Sequence, residues 1–264
     1  PALGTEGAGM ATFIGRLAAT ILGLAYAIRG GYLNRCGRLA RQLRPNLSAI
    51  VGVGAPAAFS NAINPAGMAM VTAAVATLGD AAVAGFGAAT RVQAVAIVTL
   101  MALSAGMSPM VGQNWGARRV DRARAALLQA WAFCLAYGLG VAALLTLGGD
   151  AIARALTSDP DAAAYARNYL QVVSWSFFGY GVLVTANAAF NARSKRLYAM
   201  GLGIGRTFAV YFPLAWLGVT TLGYPGILAA AVAANLLAVA GALALAQRAG
   251  LLPRRPETRG ALSA

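Results

Sequence analysis

The chain has 264 residues, 59% of them hydrophobic and 11% charged, and its 21 Lys and Arg against 7 Asp and Glu give a formal net charge of +14. With a mean hydropathy of +0.66 it carries more apolar surface than a soluble domain of this length can bury, which makes lipid the expected solvent. It has no His, and its two cysteines, Cys36 and Cys134, are isolated, so neither a Cys/His zinc site nor a disulfide framework is expected.

Apolar runs of about 20 residues, the length a helix needs to cross a bilayer, recur along the chain. Seven spans are expected, at roughly 8–28, 48–78, 81–112, 125–147, 168–191, 197–219 and 225–247. Several exceed the minimum, so tilt, kinks or projection beyond the lipid are expected. Gly79-Asp80, Gly148-Gly149-Asp150 and Gly223-Tyr224-Pro225-Gly226 are expected to break the chain between helices. Asp159-Pro160-Asp161 reads as an N-cap, a proline at the first helical position and a first-turn acid, so the fifth helix is expected to begin before its apolar run.

Charge divides unequally between the two ends of these spans. Arg29, Arg35, Arg38, Arg41 and Arg44, then Arg118, Arg119, Arg122 and Arg124, then Arg193, Lys195 and Arg196, then Arg248, Arg254, Arg255 and Arg259 all fall on one side. Only Arg154 and Arg167 fall on the other. Basic connectors face the cytoplasm, so a multi-pass protein of the cell inner membrane with a cytoplasmic C-terminus is expected. The same alternation of basic connectors with membrane-length apolar runs argues against nucleic acid as the partner; the bilayer is the expected one.

Seven spans put the two ends on opposite faces, and the first residues show neither an initiating Met nor a basic n-region. The chain is therefore expected to be the C-terminal piece of a longer protein. An internal echo agrees with this: Gly4-Thr-Glu-Gly7 opens the first span and Gly223-Tyr-Pro-Gly226 the last. A repeat of about 219 residues is the kind of duplication from which transporters are built.

Gly87-Ala-Ala-Thr-Arg91, followed by Met101-Ala-Leu-Ser-Ala-Gly-Met-Ser-Pro-Met-Val-Gly-Gln-Asn-Trp-Gly-Ala117, resembles the multidrug and toxic compound extrusion (MATE) transporters, whose lobes carry a VGQNxGA-type signature. Gly4-x-x-Gly7-Ala-x-x-Ala11-Thr12 and Gly54-Ala-Pro56 are similar to the starts of the sixth and seventh helices of that family. The resemblance implies an all-α membrane protein, with residues 1–28 as the last helix of an N-terminal lobe. It further implies a basic cytoplasmic linker at 29–47, a six-helix C-terminal lobe at 48–247 and a basic tail at 248–264. In the signature, Gly112, Gln113, Asn114, Gly116 and Ala117 are expected to form a loop. The implied activity is secondary active efflux of organic, cationic compounds, with the missing N-terminal lobe of the same parent chain as partner. The coupling ion would be H+ or Na+, and no other cofactor is implied.

Ionisable groups at membrane depth usually face protein or water. Only Arg16, Arg91 and Arg206 fall within spans; Arg206 lies about 13 Å into its helix, at about 1.5 Å per residue. It is a candidate for the transport pathway, against the alternative of an arginine bonded to carbonyls at a packing seam. All seven acids are assigned to loops or helix ends. Asn64 stands where some branches of the resembled family have an acid eight residues after the proline, so any coupling carboxylate is expected in the absent lobe. Asn61, Asn64 and Met68, beside the kink at Pro65, share one helical face and are pathway candidates. Interhelical hydrogen bonds are the alternative for the asparagines. Tyr180, Asn187 and Asn191 are candidates on the fifth span, and Gln93 is a weaker one on the third.

An intramembrane enzyme needs a nucleophile paired with a base, or two acids, at depth. Without His or a buried acid the chain is expected to be neither an enzyme nor a metal protein. Two readings of the cargo remain open: organic cations, or a lipid-linked oligosaccharide flipped by a protein of similar architecture, whose anionic groups would favour Arg91 and Arg206. A structural or receptor-like membrane protein is the remaining class.

Overall fold

A computed structural model describes residues 4–31, 47, 51, 62, 63 and 65–253. The chain divides into two units, Pro1–Pro56 and Ala57–Ala264. The first contains helix α1, Gly4–Arg29, in which the Thr20 hydroxyl donates to the Arg16 carbonyl at 2.8 Å.

The second unit is helical, with no strand among its described residues. Its elements are α2 (Pro65–Ala76), α3 (Asp80–Gly116), α4 (Val120–Leu156), α5 (Pro160–Val173), α6 (Phe177–Ala192), α7 (Arg196–Ile204), α8 (Phe212–Leu222) and α9 (Tyr224–Arg248). A 3-10 turn, Ser174–Ser176, joins α5 to α6, and a π-helical segment, Gly205–Tyr211, joins α7 to α8. Among the described residues, six stretches are long and apolar enough to cross a membrane: 9–29, 80–116, 120–156, 160–192, 196–222 and 224–248. The expected span at 48–78 lies mostly outside the described residues, apart from α2.

Local chemistry accounts for most of the boundaries. Gly79 at φ 106 and Gly223 at φ 67 take backbone conformations that a Cβ disfavours, so the chain turns there. Asp159 caps α5, its carboxylate accepting from the Asp161 N–H at 3.0 Å, with Pro160 in the first turn.

At Gly148-Gly149-Asp150 the expected break does not occur, and α4 continues to Leu156. A glycine inside a helix costs only about 1 kcal/mol. Here Gly149 is buried where α4 packs against α5, within ordinary contact distance of Leu170 and Gln171, and that packing holds the helix through the pair. Asp150 pairs with Arg154 one turn on and lies 3.8 Å from Arg167 of α5, which supports the helix instead of ending it.

The expected signature loop is likewise helical. Gly112 to Gly116 form the end of α3, and the connection to α4 is only Ala117–Arg119. At 37 residues each, α3 and α4 are about 55 Å long, well beyond the hydrocarbon thickness of about 30 Å. Arg122 and Arg124 accordingly ride on the first turns of α4.

Three helix ends gather at this basic end. Arg118 (φ 57), Ser194 (φ 58) and Gly250 (φ 73) each adopt the left-handed conformation, and the next N–H bonds back over the turn: Arg119 to Asn114, Lys195 to Phe190 and Leu251 to Ala246, at 2.8, 2.8 and 2.9 Å. Arg193 lies over the Trp115 ring at 3.6 Å, and Arg124 donates to the Gly250 carbonyl at 3.1 Å. The ends of α3, α6 and α9 and the start of α4 are thereby tied together.

Buried side chains form two clusters stacked along the helices. One centres on Phe86, Tyr169, Leu170, Phe177 and Ile227; the other, nearer the basic end, on Leu100, Leu127, Leu183 and Phe190. Many outward side chains are also apolar, Leu147 being 88% exposed. That distribution suits a lipid surround and not water.

Helices come closest where both contribute glycine. A Cβ on Gly218 would lie 2.6 Å from the Gly226 carbonyl oxygen, and one on Gly226 would collide with the Gly218 backbone, so α8 and α9 meet backbone to backbone. Gly226→Val is expected to destabilise the chain by about 1–3 kcal/mol through overpacking. Gly201→Ala, whose added carbon meets nothing within 4 Å, should leave stability nearly unchanged. Thermal unfolding of both variants in detergent checks this pair.

Candidate functional site

The polar groups of the second unit converge where two helices lose regular α winding. At Ser174–Ser176 the chain tightens, and the buried Ser176 hydroxyl donates back to the Val173 carbonyl at 2.7 Å. In Gly205–Tyr211 it widens. Pro213, in the first turn of α8, has no N–H, and its ring would press on the carbonyl four residues back; π winding accommodates both effects. Arg206 projects from this widened segment.

Arg206 Nε donates to Asn235 Oδ1 of α9 at 2.9 Å, and Asn235 Nδ2 donates to Ser176 Oγ at 2.8 Å. Asn235 is 4% exposed, so this chain of bonds is held in a dry interior where each polar group needs its partner. Gly179 allows it: a Cβ there would lie 2.7 Å from the Asn235 carbonyl oxygen and 3.2 Å from Asn235 Cβ, so α6 and α9 approach closely at this level. The guanidinium carbon of Arg206 is 5.3 Å from the ring centre of Tyr180 and 5.9 Å from that of Tyr211, within cation–π range.

Arg206 is half-buried and lines a cavity of about 390 Å³. The walls also include Met68, Gln93, Tyr169, Tyr180, Tyr211 and Asn235. Tyr169 donates to the Gln93 side chain across the wall. Thr207, 3% exposed, lines the cavity too, and its hydroxyl has no partner among the described residues. No Asp or Glu is among the lining residues, and no carboxylate pairs with Arg206 among the described ones. Two like charges about 6 Å apart at an effective dielectric of about 20 repel by about 3 kcal/mol. The cavity therefore disfavours a second cation and favours an anion.

Of the residues singled out from sequence, the structure brings Pro65, Met68, Gln93, Tyr180 and Arg206 to this cavity. Asn61 and Asn64 lie outside the described residues. Asn187 is on α6 and half-buried, its side-chain oxygen unpartnered among the described residues, and Asn191 is exposed at the end of α6; neither lines the cavity. Both fall on the Tyr180 face, but Asn187 is about 10 Å farther along the helix at about 1.5 Å per residue. Arg91 is exposed and outside the lining.

Sequence reasoning missed Asn235, Tyr169, Tyr211 and Thr207. Asn235 had a usable signal, a single amide inside the long apolar run of α9. The tyrosines had none, because an aromatic ring in an apolar helix looks the same whether it packs in a core or faces a cavity.

The comparisons with known proteins are consistent among themselves. A family model described as MatE matches residues 56–217. The chain is 31% identical over 249 residues to the "FAD transporter" of Shewanella oneidensis, covering 94% of this chain and 55% of that protein. It is 25% identical over 227 residues to the "Probable multidrug resistance protein YpnP" of Bacillus subtilis, covering 84% and 51%. The crystal structure of the Vibrio cholerae MATE transporter VcmN in its bent form superposes with a TM-score of 0.80 at 25% identity, covering 94% of this chain and 56% of that one. The chain thus spans about half the length of these three proteins.

Asn235→Ala is expected to lower stability by about 1–3 kcal/mol, because it removes the donor to the buried Ser176 Oγ and leaves Arg206 Nε without its acceptor. Asn191→Ala, at an exposed position, should change it by less than about 0.5 kcal/mol. Denaturation of the two variants in one detergent tests the contrast.

Proposed function

Because the chain belongs to the MatE family of membrane transporters, and so is not an enzyme, we propose that it forms one lobe of a secondary active exporter. The exporter moves an organic compound out of the cell in exchange for H+ or Na+. It works by alternating access: cargo or ion shifts the population between arrangements of two lobes open to opposite sides. The observation that carries this reading is the polar cavity enclosed by apolar helices beside a proline-associated π segment. Non-α backbone at membrane depth is tolerated where it lines a cavity. Pro65, Met68, Gln93, Tyr180 and Arg206 are its proposed pathway residues in this lobe, and Asn61 and Asn64, which lie outside the described residues, are proposed with them. No acid is among the described lining residues, which supports placing the coupling carboxylate in the other lobe.

The proposed orientation follows from charge. Arg118, Arg119, Arg122, Arg124, Arg193, Lys195, Arg196 and Arg248 lie at one end of the unit, with Asp121 the one acid there among the described residues. That end faces the cytoplasm of the inner membrane, and so does the C-terminus.

The cargo has two readings. Organic cations follow from the multidrug side of the family, which the Bacillus relative's name reflects. A flavin nucleotide follows from the name of the Shewanella relative, and the uncompensated Arg206 favours it.

Proteoliposomes containing only these 264 residues are expected not to accumulate ethidium against its gradient; accumulation would overturn the one-lobe reading. For orientation, single cysteines at Arg118 and Arg254 should be labelled by an impermeant maleimide from the same side of the membrane, and one at Asp159 from the opposite side. Labelling of Arg118 and Arg254 from opposite sides would overturn the proposed topology.

A further inference from the structure

We infer that the Arg206 cavity binds a planar aromatic compound through a single anionic group, with Arg206 as the anion anchor and Tyr180 and Tyr211 as the walls for the ring. The inference deepens the exporter reading and rests on it for the conclusion that the bound compound is cargo.

Three features of the cavity carry it. The first is charge: a guanidinium lines the space with no carboxylate partner among the described residues. Only its Nε is bonded there, to Asn235, which leaves the two terminal nitrogens without an acceptor among the same residues. A guanidinium presents its donors as a planar fork, the shape that phosphate and carboxylate oxygens accept. The second is preorganisation. Asn235 holds Arg206 and is itself held by Ser176, so an arriving anion meets a donor whose freedom is already restricted. Thr207, one residue on, adds a buried hydroxyl with no partner among the described residues.

The third is shape. Tyr180 and Tyr211 flank the guanidinium at 5.3 and 5.9 Å, and Tyr169 lines the same space. The volume of about 390 Å³ falls at the small end of ligand pockets, which run from about 300 to 1,000 Å³. It suits one flat ring system and a single charged group. A seam arginine bonded only to carbonyls would need none of these features, and Arg206 has no backbone partner among the described residues.

The experiment uses fluorescence titration of the 264-residue chain in neutral detergent with three probes. FMN and riboflavin share one ring system and differ by a phosphate, whereas ethidium is a planar cation. FMN is expected to bind at least about tenfold more tightly than riboflavin, the scale of a charge-assisted hydrogen bond, and ethidium more weakly than both. Arg206→Gln should bring the FMN to riboflavin ratio close to one. Asn235→Asp, nearly isosteric, places a carboxylate against Arg206; it should abolish the same preference while holding the guanidinium in place, and Arg206→Lys should keep part of it. An arginine with a purely structural role would lose no preference in Asn235→Asp.

Equal binding of FMN and riboflavin by the native chain, tighter ethidium binding, no binding of any probe, or a preference that survives both Arg206→Gln and Asn235→Asp overturns the inference. Displacement of FMN by phosphatidylglycerol but not by phosphatidylcholine reassigns the anion to a lipid headgroup and overturns it too. Equilibrium binding requires no transport, so failure of the exporter reading alone would leave these affinities intact.

Discussion

In hydrocarbon there is no water to accept a stray N–H or to cover a bare carbonyl, and this one requirement organises the molecule. It forces the chain into long helices that satisfy themselves, and it confines every departure from α winding to places covered by protein. The two departures among the described residues of the second unit, the 3-10 turn at Ser174–Ser176 and the π segment at Gly205–Tyr211, both pack against α9. The polar side chains of the cavity hang on these two irregularities. Ser176 belongs to one and Arg206 to the other, and Asn235 of α9 bridges them. Irregular winding and the polar site are two aspects of one arrangement, in which the irregular segments also carry Ser176 and Arg206.

Much of the architecture was legible because membrane physics writes it in long, strong signals. Apolar length gave the spans, Gly79 and Gly223 gave turns, and Asp159-Pro160-Asp161 gave a cap that the structure reproduces bond for bond. Errors arose where a local signal was weak beside packing. Gly148-Gly149 reads as a breaker, yet the packing of α4 on α5, with Gly149 buried between them, outweighs a helix-propensity cost of about 1 kcal/mol per glycine. The signature at Gly112–Ala117 reads as a loop because arginines follow it. Its real function in the fold is to end α3 with Arg118 in the left-handed conformation and to present Trp115 to Arg193.

The cavity was legible in part, through Arg206 and Gln93 and through the candidates Pro65, Met68 and Tyr180. Arg206 and Gln93 stand out in greasy helices, because each is costly there without a partner. Tyr169 and Tyr211 are silent in the sequence, and Asn235 becomes interpretable only once α6 and α9 are seen to approach at Gly179. Asn187 and Asn191 show the limit of face arguments. Periodicity places them on the side of Tyr180, but depth along the helix axis separates them from the cavity.

The Gly218–Gly226 contact has a mechanical consequence. With no side chain between the two backbones, α8 and α9 have no soft layer through which to slide or splay, and they behave as one stiff strut. Any bending of the sixth span is thereby pushed back along the chain, past Pro213, into the loosely wound residues around Arg206. The compliant segment of this unit thus supplies the charged wall of the cavity, Arg206, together with Thr207 and Tyr211.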